Sequence, residues 1–413
     1  MAPGTDASAD DVPRRGARAP LLPPAAWLLG WVSLLTDTAS EAIYPLLPLF
    51  LTRVLGARAL ALGLVEGAAE AVASVLKVVS GRLADRTGRR RPLVVAGYSL
   101  SSLARPLIGL AGAWGHVFLL RLVDRVGKGL RSAPRDAILA SAASPETRGR
   151  VFGFHRAMDH TGAILGPLLA SAFLWLAPGQ YRTLFLLTLL PGLAVVALVL
   201  RVPRDRATVQ AVSVPVPVSS GQAGGPLPAP LRRLFVVLLV FALGNSTDAY
   251  LLLRLSGLGV GAAAIPLLWA ALHVVKASAS LAGGLMADRW GRRPMILAGW
   301  LFYAAVYAGF AQVETAAPAV ALFLSYGLYF GLTEGVEKAL VADLAPAALR
   351  GSAFGAYNAV TGFGALGASV LFGAVWEWRG AETAFVVGAA IALLAALLFL
   401  AVVPAPARSS SQA

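Results

Sequence analysis

About a dozen apolar runs follow one another along this chain, each close to the roughly 20 residues that carry a helix across a bilayer, with short polar loops between them. Few folds are open to such a chain. In hydrocarbon every backbone N–H and C=O must be bonded within the protein, so spanning segments are helices or closed barrels, and runs of this length are helices. Composition agrees. Of 413 residues, 57% are hydrophobic and 14% charged. Soluble proteins carry roughly 25% charged residues, so an ordinary globular enzyme is excluded. The net charge of +14 would suit a nucleic-acid binder, but the arginines gather in the short loops. That is the pattern of loops kept on the cytoplasmic side, so the expected partner is the lipid bilayer and no nucleic acid. Without cysteine, disulfides and thiolate metal sites are excluded, and no metal site or cofactor is expected.

One loop occurs twice. Gly81, Asp85, Arg86, Gly88, Arg89 and Pro92 stand between two apolar runs, and Gly284, Asp288, Arg289, Gly291, Arg292 and Pro294 stand between two others in the same order. A helix ends, the chain turns on glycine, and arginines face the headgroups before proline opens the next helix. A second alignment supports the repeat: Arg350, Gly351, Phe354 and Gly355 match Arg148, Gly149, Phe152 and Gly153. Between the halves, residues 202–231 turn to Pro, Gly, Ser and Val, a linker composition.

The G-x-x-x-D-R-x-G-R-R pattern resembles the loop signature of the major facilitator superfamily, between helices 2 and 3 and again between 8 and 9. The resemblance covers nearly all of residues 24–404. It implies an all-α integral membrane protein, with twelve transmembrane helices in two pseudo-symmetric six-helix bundles. The expected divisions are a cytoplasmic tail at 1–23, bundles at 24–201 and 232–404, the cytoplasmic linker at 202–231 and a cytoplasmic tail at 405–413. It further implies a monomer in the inner (plasma) membrane that moves a small molecule by rocking its halves. In the family the signature Asp latches onto a neighbouring helix end, a role that falls here to Asp85 and Asp288 with Arg89 and Arg292 in support. Gly162, Gly166 and Pro167 resemble the fifth-helix G-x-x-x-G-P motif of superfamily exporters. Two glycines four apart also let another helix approach closely.

The spans hold an unusual number of charges, which in a bilayer usually face the bundle interior. The first span has Asp37 and Glu41 on one face, with Pro45 and Pro48 set to disturb its outer end. The second has Glu66, Glu70 and Lys77. The fourth carries a cationic stripe at helical spacing, Arg121, Arg125, Lys128, Arg131 and Arg135, with Asp124 and Asp136 beside it. The fifth has His155 and Asp159, the seventh Asn245 and Asp248, the eighth His273 and Lys276, and the tenth Glu334, Glu337 and Lys338. The chain's four lysines are Lys77, Lys128, Lys276 and Lys338, all inside spans, whereas the loops use arginine.

These residues are the candidate substrate and proton cavity. Asp37 with Glu41, and Glu66 with Glu70, are spaced so that one carboxylate of each pair would hold a proton near neutral pH, and histidines could relay it. No G-x-x-x-x-G-K-[ST] loop is present, so protons are the expected energy source. The function expected is proton-coupled efflux of a small polar or amphiphilic molecule. The alternatives are a proton-coupled importer of a nutrient, siderophore or organic anion, and a transport-inactive sensor on the same scaffold. No catalytic motif is found and no enzyme is expected.

Overall fold

A computed structural model of the protein describes residues 22–143, 147–203, 227–346 and 349–403. The C-terminal tail, residues 1–21 and most of the expected linker lie outside the described residues. The linker's last three residues, 229–231, are already helical, because Pro230 sits in the first turn where its missing N–H is harmless.

The described residues form helices and no strand. We label them α1 Pro24–Ile43, α2 Ala59–Thr87, α3 Arg90–Leu110, α4 Trp114–Ala142, α5 Arg148–Leu176, α6 Tyr181–Val199, α7 Ala229–Gly257, α8 Ala264–Trp290, α9 Arg292–Gln312, α10 Ala316–Leu344, α11 Arg350–Arg379 and α12 Ala381–Val402. Nine of these are long and apolar enough to cross a membrane. The remaining three, α1, α4 and α5, are of similar length and packed among the nine, but polar and charged residues interrupt their apolar runs. Trp175, Leu176, Leu285 and Trp378 are among many large apolar side chains on the outside, a surface suited to lipid and costly in water.

Helices α1–α6 pack among themselves, as do α7–α12, giving two bundles. The bundles meet where α2 lies against α11 and α5 against α8. The repeat is visible in detail at the loops. Arg91 donates from Nε to the carbonyl oxygen of Val202 (2.7 Å), and Arg293 donates to that of Leu400 (2.7 Å). Each is the residue before the signature proline, tied to the end of the last helix of its own half.

Two spans are irregular. After Ile43 the chain winds as a 3₁₀ turn over Tyr44–Leu46 and a π turn over Phe50–Val54, the disturbance expected of Pro45 and Pro48. α7 is interrupted between Gly244 and Ala249 by Asn245, Ser246, Thr247 and Asp248. The two breaks face each other, with the Tyr44 and Thr247 hydroxyls 3.4 Å apart.

Candidate functional site

A cavity of about 550 Å³ lies between the bundles at the level of these breaks. It shares Asp37, Lys128, His273, Lys276 and Phe330 with a wider cavity of about 980 Å³. The wider one continues past Lys77, Arg135 and Arg156, toward the helix ends that carry the signature loops. The opposite end is sealed by contacts between the halves. The Tyr250 hydroxyl lies 2.9 Å from the Ala59 carbonyl and 3.0 Å from that of Ser369. Arg58 pairs with Glu377 at 2.7 Å, Arg53 donates to the Ser256 carbonyl at 3.1 Å, and the Ser171 hydroxyl donates to the Ala263 carbonyl at 2.7 Å. Glycines make the seal possible: a Cβ on Gly63 of α2 would overlap the Ser369 carbonyl oxygen of α11.

The stripe on α4 divides into two groups. Arg121 is buried and holds both oxygens of Glu66 at 2.8 Å, while its other terminal nitrogen reaches Asp124 at 3.4 Å. Asp124, fully buried, also accepts from Arg105 at 2.9 Å, and Arg105 donates to the Thr36 carbonyl at 3.0 Å. Arg131 donates to Ser101 at 2.7 Å and covers the Tyr98 ring at 4.5 Å. Buried ions are tolerated when paired and hydrogen-bonded, and Glu66, Arg105, Arg121 and Asp124 meet that requirement, whereas Arg131 is held by a hydroxyl and a ring alone among the described residues. Arg125 and Lys128 are the second group. Both line the cavity and neither makes an ion pair or hydrogen bond among the described residues.

The carboxylates divide in the same way. Glu66 is occupied by Arg121, so it does not form the proton-sharing pair with Glu70 that their spacing suggests; Glu70 faces the cavity alone. Asp37 lines both cavities, and its carboxylate has no ion-pair or hydrogen-bond partner among the described residues. Neither Lys77 nor Arg121 pairs with it. Glu41 reaches across the halves to Trp269 Nε1 (2.8 Å), with His273 Nε2 at 3.8 Å. On the second half Asp248 accepts from Lys276 (3.0 Å) and Tyr326 (2.8 Å), and the Lys276 ammonium sits 3.7 Å from the Phe330 ring centre.

The structure leaves several expected residues out of the central cavity. Glu334 and Glu337 do not neutralise the α4 stripe. Glu334 lines the wider cavity and pairs with Lys338 at 3.1 Å, and Lys338 lines neither of the two larger cavities. Glu337 is buried in a side cavity. His155 is buried behind the wall, 3.4 Å from Asp159, which also accepts from Ser33. Gly162 and Gly166 seat α5 directly on the backbone of α1 at Leu34 and Thr38, with Pro167 next to them, a packing role.

At the loops Gly88 adopts φ +66° and Gly291 φ +90°, conformations that favour glycine. Asp85 and Asp288 make no hydrogen bond or ion pair among the described residues. Arg86, Arg89 and Arg289 are exposed, whereas Arg292 pairs with Asp343. Arg53, Arg58, Arg182, Arg254 and Arg379, arginines at the opposite end, are each engaged. Arg182 holds the Gly109 and Ala111 carbonyls, and Arg379 stacks on Trp378.

The aromatic frame of Tyr44, Trp269, Tyr326 and Phe330, and the hydroxyls of Ser246 and Thr247, were not expected at the site. The polar run from Asn245 to Asp248 inside an apolar span is the signal that points to the hydroxyls.

Known proteins bear on this arrangement. The sequence profile described as Major Facilitator Superfamily matches residues 29–369 and 234–413. The chain belongs to that superfamily. It is therefore a multi-pass membrane transporter of small molecules and not an enzyme. This transporter is 32% identical to an uncharacterised MFS-type transporter of Methanocaldococcus jannaschii, over 91% of its own length and 94% of the relative's. It is 30% identical to the multidrug resistance protein MdtH of Photorhabdus laumondii over 34% of each chain. Its fold matches the crystal structure of the nucleoside transporter NupG with a TM-score of 0.73, at 15% identity, over 92% of this chain and 99% of that one.

Proposed function

We propose that this transporter is a proton-coupled exporter of a small polar or amphiphilic molecule that carries an anionic group. The observation that supports this reading is the pairing pattern in the cavity. Among the described residues the Arg125 and Lys128 side chains have no hydrogen-bond or ion-pair partner, and they line the same cavity as the unpartnered carboxylates of Asp37 and Glu70. A cavity that leaves cations unpaired favours an anion, and an unpaired carboxylate beside it can carry a proton. In this reading the described conformation is open to the cytoplasm and sealed outside. The loop carboxylates Asp85 and Asp288 are the latches released in that state. The likeness to MdtH over part of the chain supports efflux rather than import.

Coupling is tested by flux in proteoliposomes with an imposed pH gradient, using substrate found by screening a deletion strain against a compound panel. Asp37→Asn and Glu41→Gln are expected to lower gradient-driven accumulation about tenfold or more while substrate exchange without a gradient persists. A well-folded double variant that still concentrates substrate would exclude these carboxylates as the coupling site.

Orientation has its own test. The arginine-rich loops, the 202–231 linker and both termini are proposed to be cytoplasmic, in an inner or plasma membrane, with one copy sufficient for transport. Reporter fusions near Ala57 and Gly179 should then read as external and fusions in the linker as internal. A linker on the outside reverses the assignment.

A further inference from the structure

A second cavity, of about 140 Å³, lies between α7, α10 and α11 and meets the central one at Asn245, Phe330 and Ala365. Glu337 stands in its wall, 8% exposed. One carboxylate oxygen accepts from Trp300 Nε1 at 2.9 Å and the other from the Tyr357 hydroxyl at 3.2 Å. Both donors are neutral, and no Lys or Arg among the described residues forms an ion pair with Glu337. Four aromatic side chains, Phe241, Tyr329, Phe330 and Tyr357, share the wall with it, as does Glu334, whose charge is matched by Lys338.

We propose that Glu337 and these rings form a receptor for an ammonium group. A buried carboxylate is costly without a counter-charge, and aromatic faces attract cations that have shed their water. The volume selects further. Whole organic ligands fill roughly 300–1,000 Å³, so this space takes the head of a molecule whose body lies in the central cavity. A small inorganic cation would need several oxygen ligands converging on it, whereas both Glu337 oxygens already accept hydrogen bonds and four aromatic side chains stand in the wall. Trp300 and Tyr357 hold the carboxylate in place without neutralising it. This site stands independently of the anionic reading of Arg125 and Lys128. If both hold, the substrate is a zwitterion, and only that last step rests on the proposed function.

The test is calorimetric titration of the purified transporter with ethylammonium and tetramethylammonium, against potassium chloride at equal ionic strength. Saturable binding of either ammonium ion is expected, lost about tenfold or more in Glu337→Gln and in Thr361→Leu. The second variant puts a larger, apolar side chain in place of a threonine at the cavity wall and leaves the carboxylate untouched. Arg125→Gln should bind ammonium as the parent does. If that variant also leaves binding of organic anions unchanged, the anionic reading fails while the ammonium site stands. Parent protein that binds neither ammonium ion, or binds potassium equally well, overturns the site. So does undiminished ammonium binding in folded Glu337→Gln or Thr361→Leu.

Discussion

Asp124→Asn is expected to destabilise the N-terminal bundle by about 3–5 kcal/mol, the cost of removing one partner from a buried ion network. The carboxylate is fully buried and is the only anion paired with Arg105 among the described residues; it also serves Arg121, which keeps Glu66. An amide of the same shape leaves two buried guanidinium groups short of charge. The measurement is thermal unfolding of the detergent-solubilised protein, with Asp136→Asn as the comparison. Asp136 pairs with Arg135 but is half exposed, so its loss should cost no more than about 1 kcal/mol. Replacing Arg105 and Asp124 together by apolar residues should recover part of the loss. Equal melting of Asp124→Asn and the parent would contradict the network reading.

Gly63→Val should unseat the outer seal. A side chain at this position overlaps the Ser369 carbonyl and the Tyr250 hydroxyl, which is itself bonded to both halves. Overpacking of this kind costs about 1–3 kcal/mol, enough to shift a two-state equilibrium about 5–150-fold. The strain exists only while α2 and α11 are together, so it favours the conformation in which they part. The chain has no cysteine, so Ser246→Cys in the cavity wall provides a reporter without background. In Gly63→Val its reaction with a membrane-impermeant maleimide from the external face should rise within that range. Gly115→Ala, where a Cβ meets nothing, should leave labelling unchanged. Unchanged labelling in Gly63→Val would mean that this crossing does not seal the outer end.

The helices were legible because the bilayer imposes a length and an apolar composition that local sequence records directly. The repeat was legible in the two signature loops, and the break after Ile43 in its two prolines. Periodicity also put Arg121, Arg125 and Lys128 on related faces of α4. It could not say which of them would be neutralised, because the partners come from elsewhere: Glu66 from α2, and Arg105 from α3 to occupy Asp124. The rotation of α10 was hidden for a similar reason. Glu334, Glu337 and Lys338 share a face by spacing, yet Glu337 turns in toward Trp300 and Tyr357, Glu334 lines the cavity rim, and Lys338 reaches back to Glu334 outside the two larger cavities. Which side of a helix is buried depends on all its neighbours, and an apolar span gives little sign of it. The site's aromatic frame was hidden because aromatic residues in a membrane helix serve packing and cavity walls alike.

The division of labour between the two basic residues has a practical side. The basic residues of the described loops are arginines, so the lysine amines are confined to the spans, with Lys128 and Lys276 facing one another's halves across the cavity and Lys77 lining its wider part. A water-soluble amine reagent therefore reaches Lys77, Lys128 and Lys276 through the cavity, with Lys338 outside it as a reference. Modification at Lys128 and Lys276 reads how open that route is in the native chain, with no residue introduced. Cargo that protects the two amines to different degrees reveals which bundle holds it.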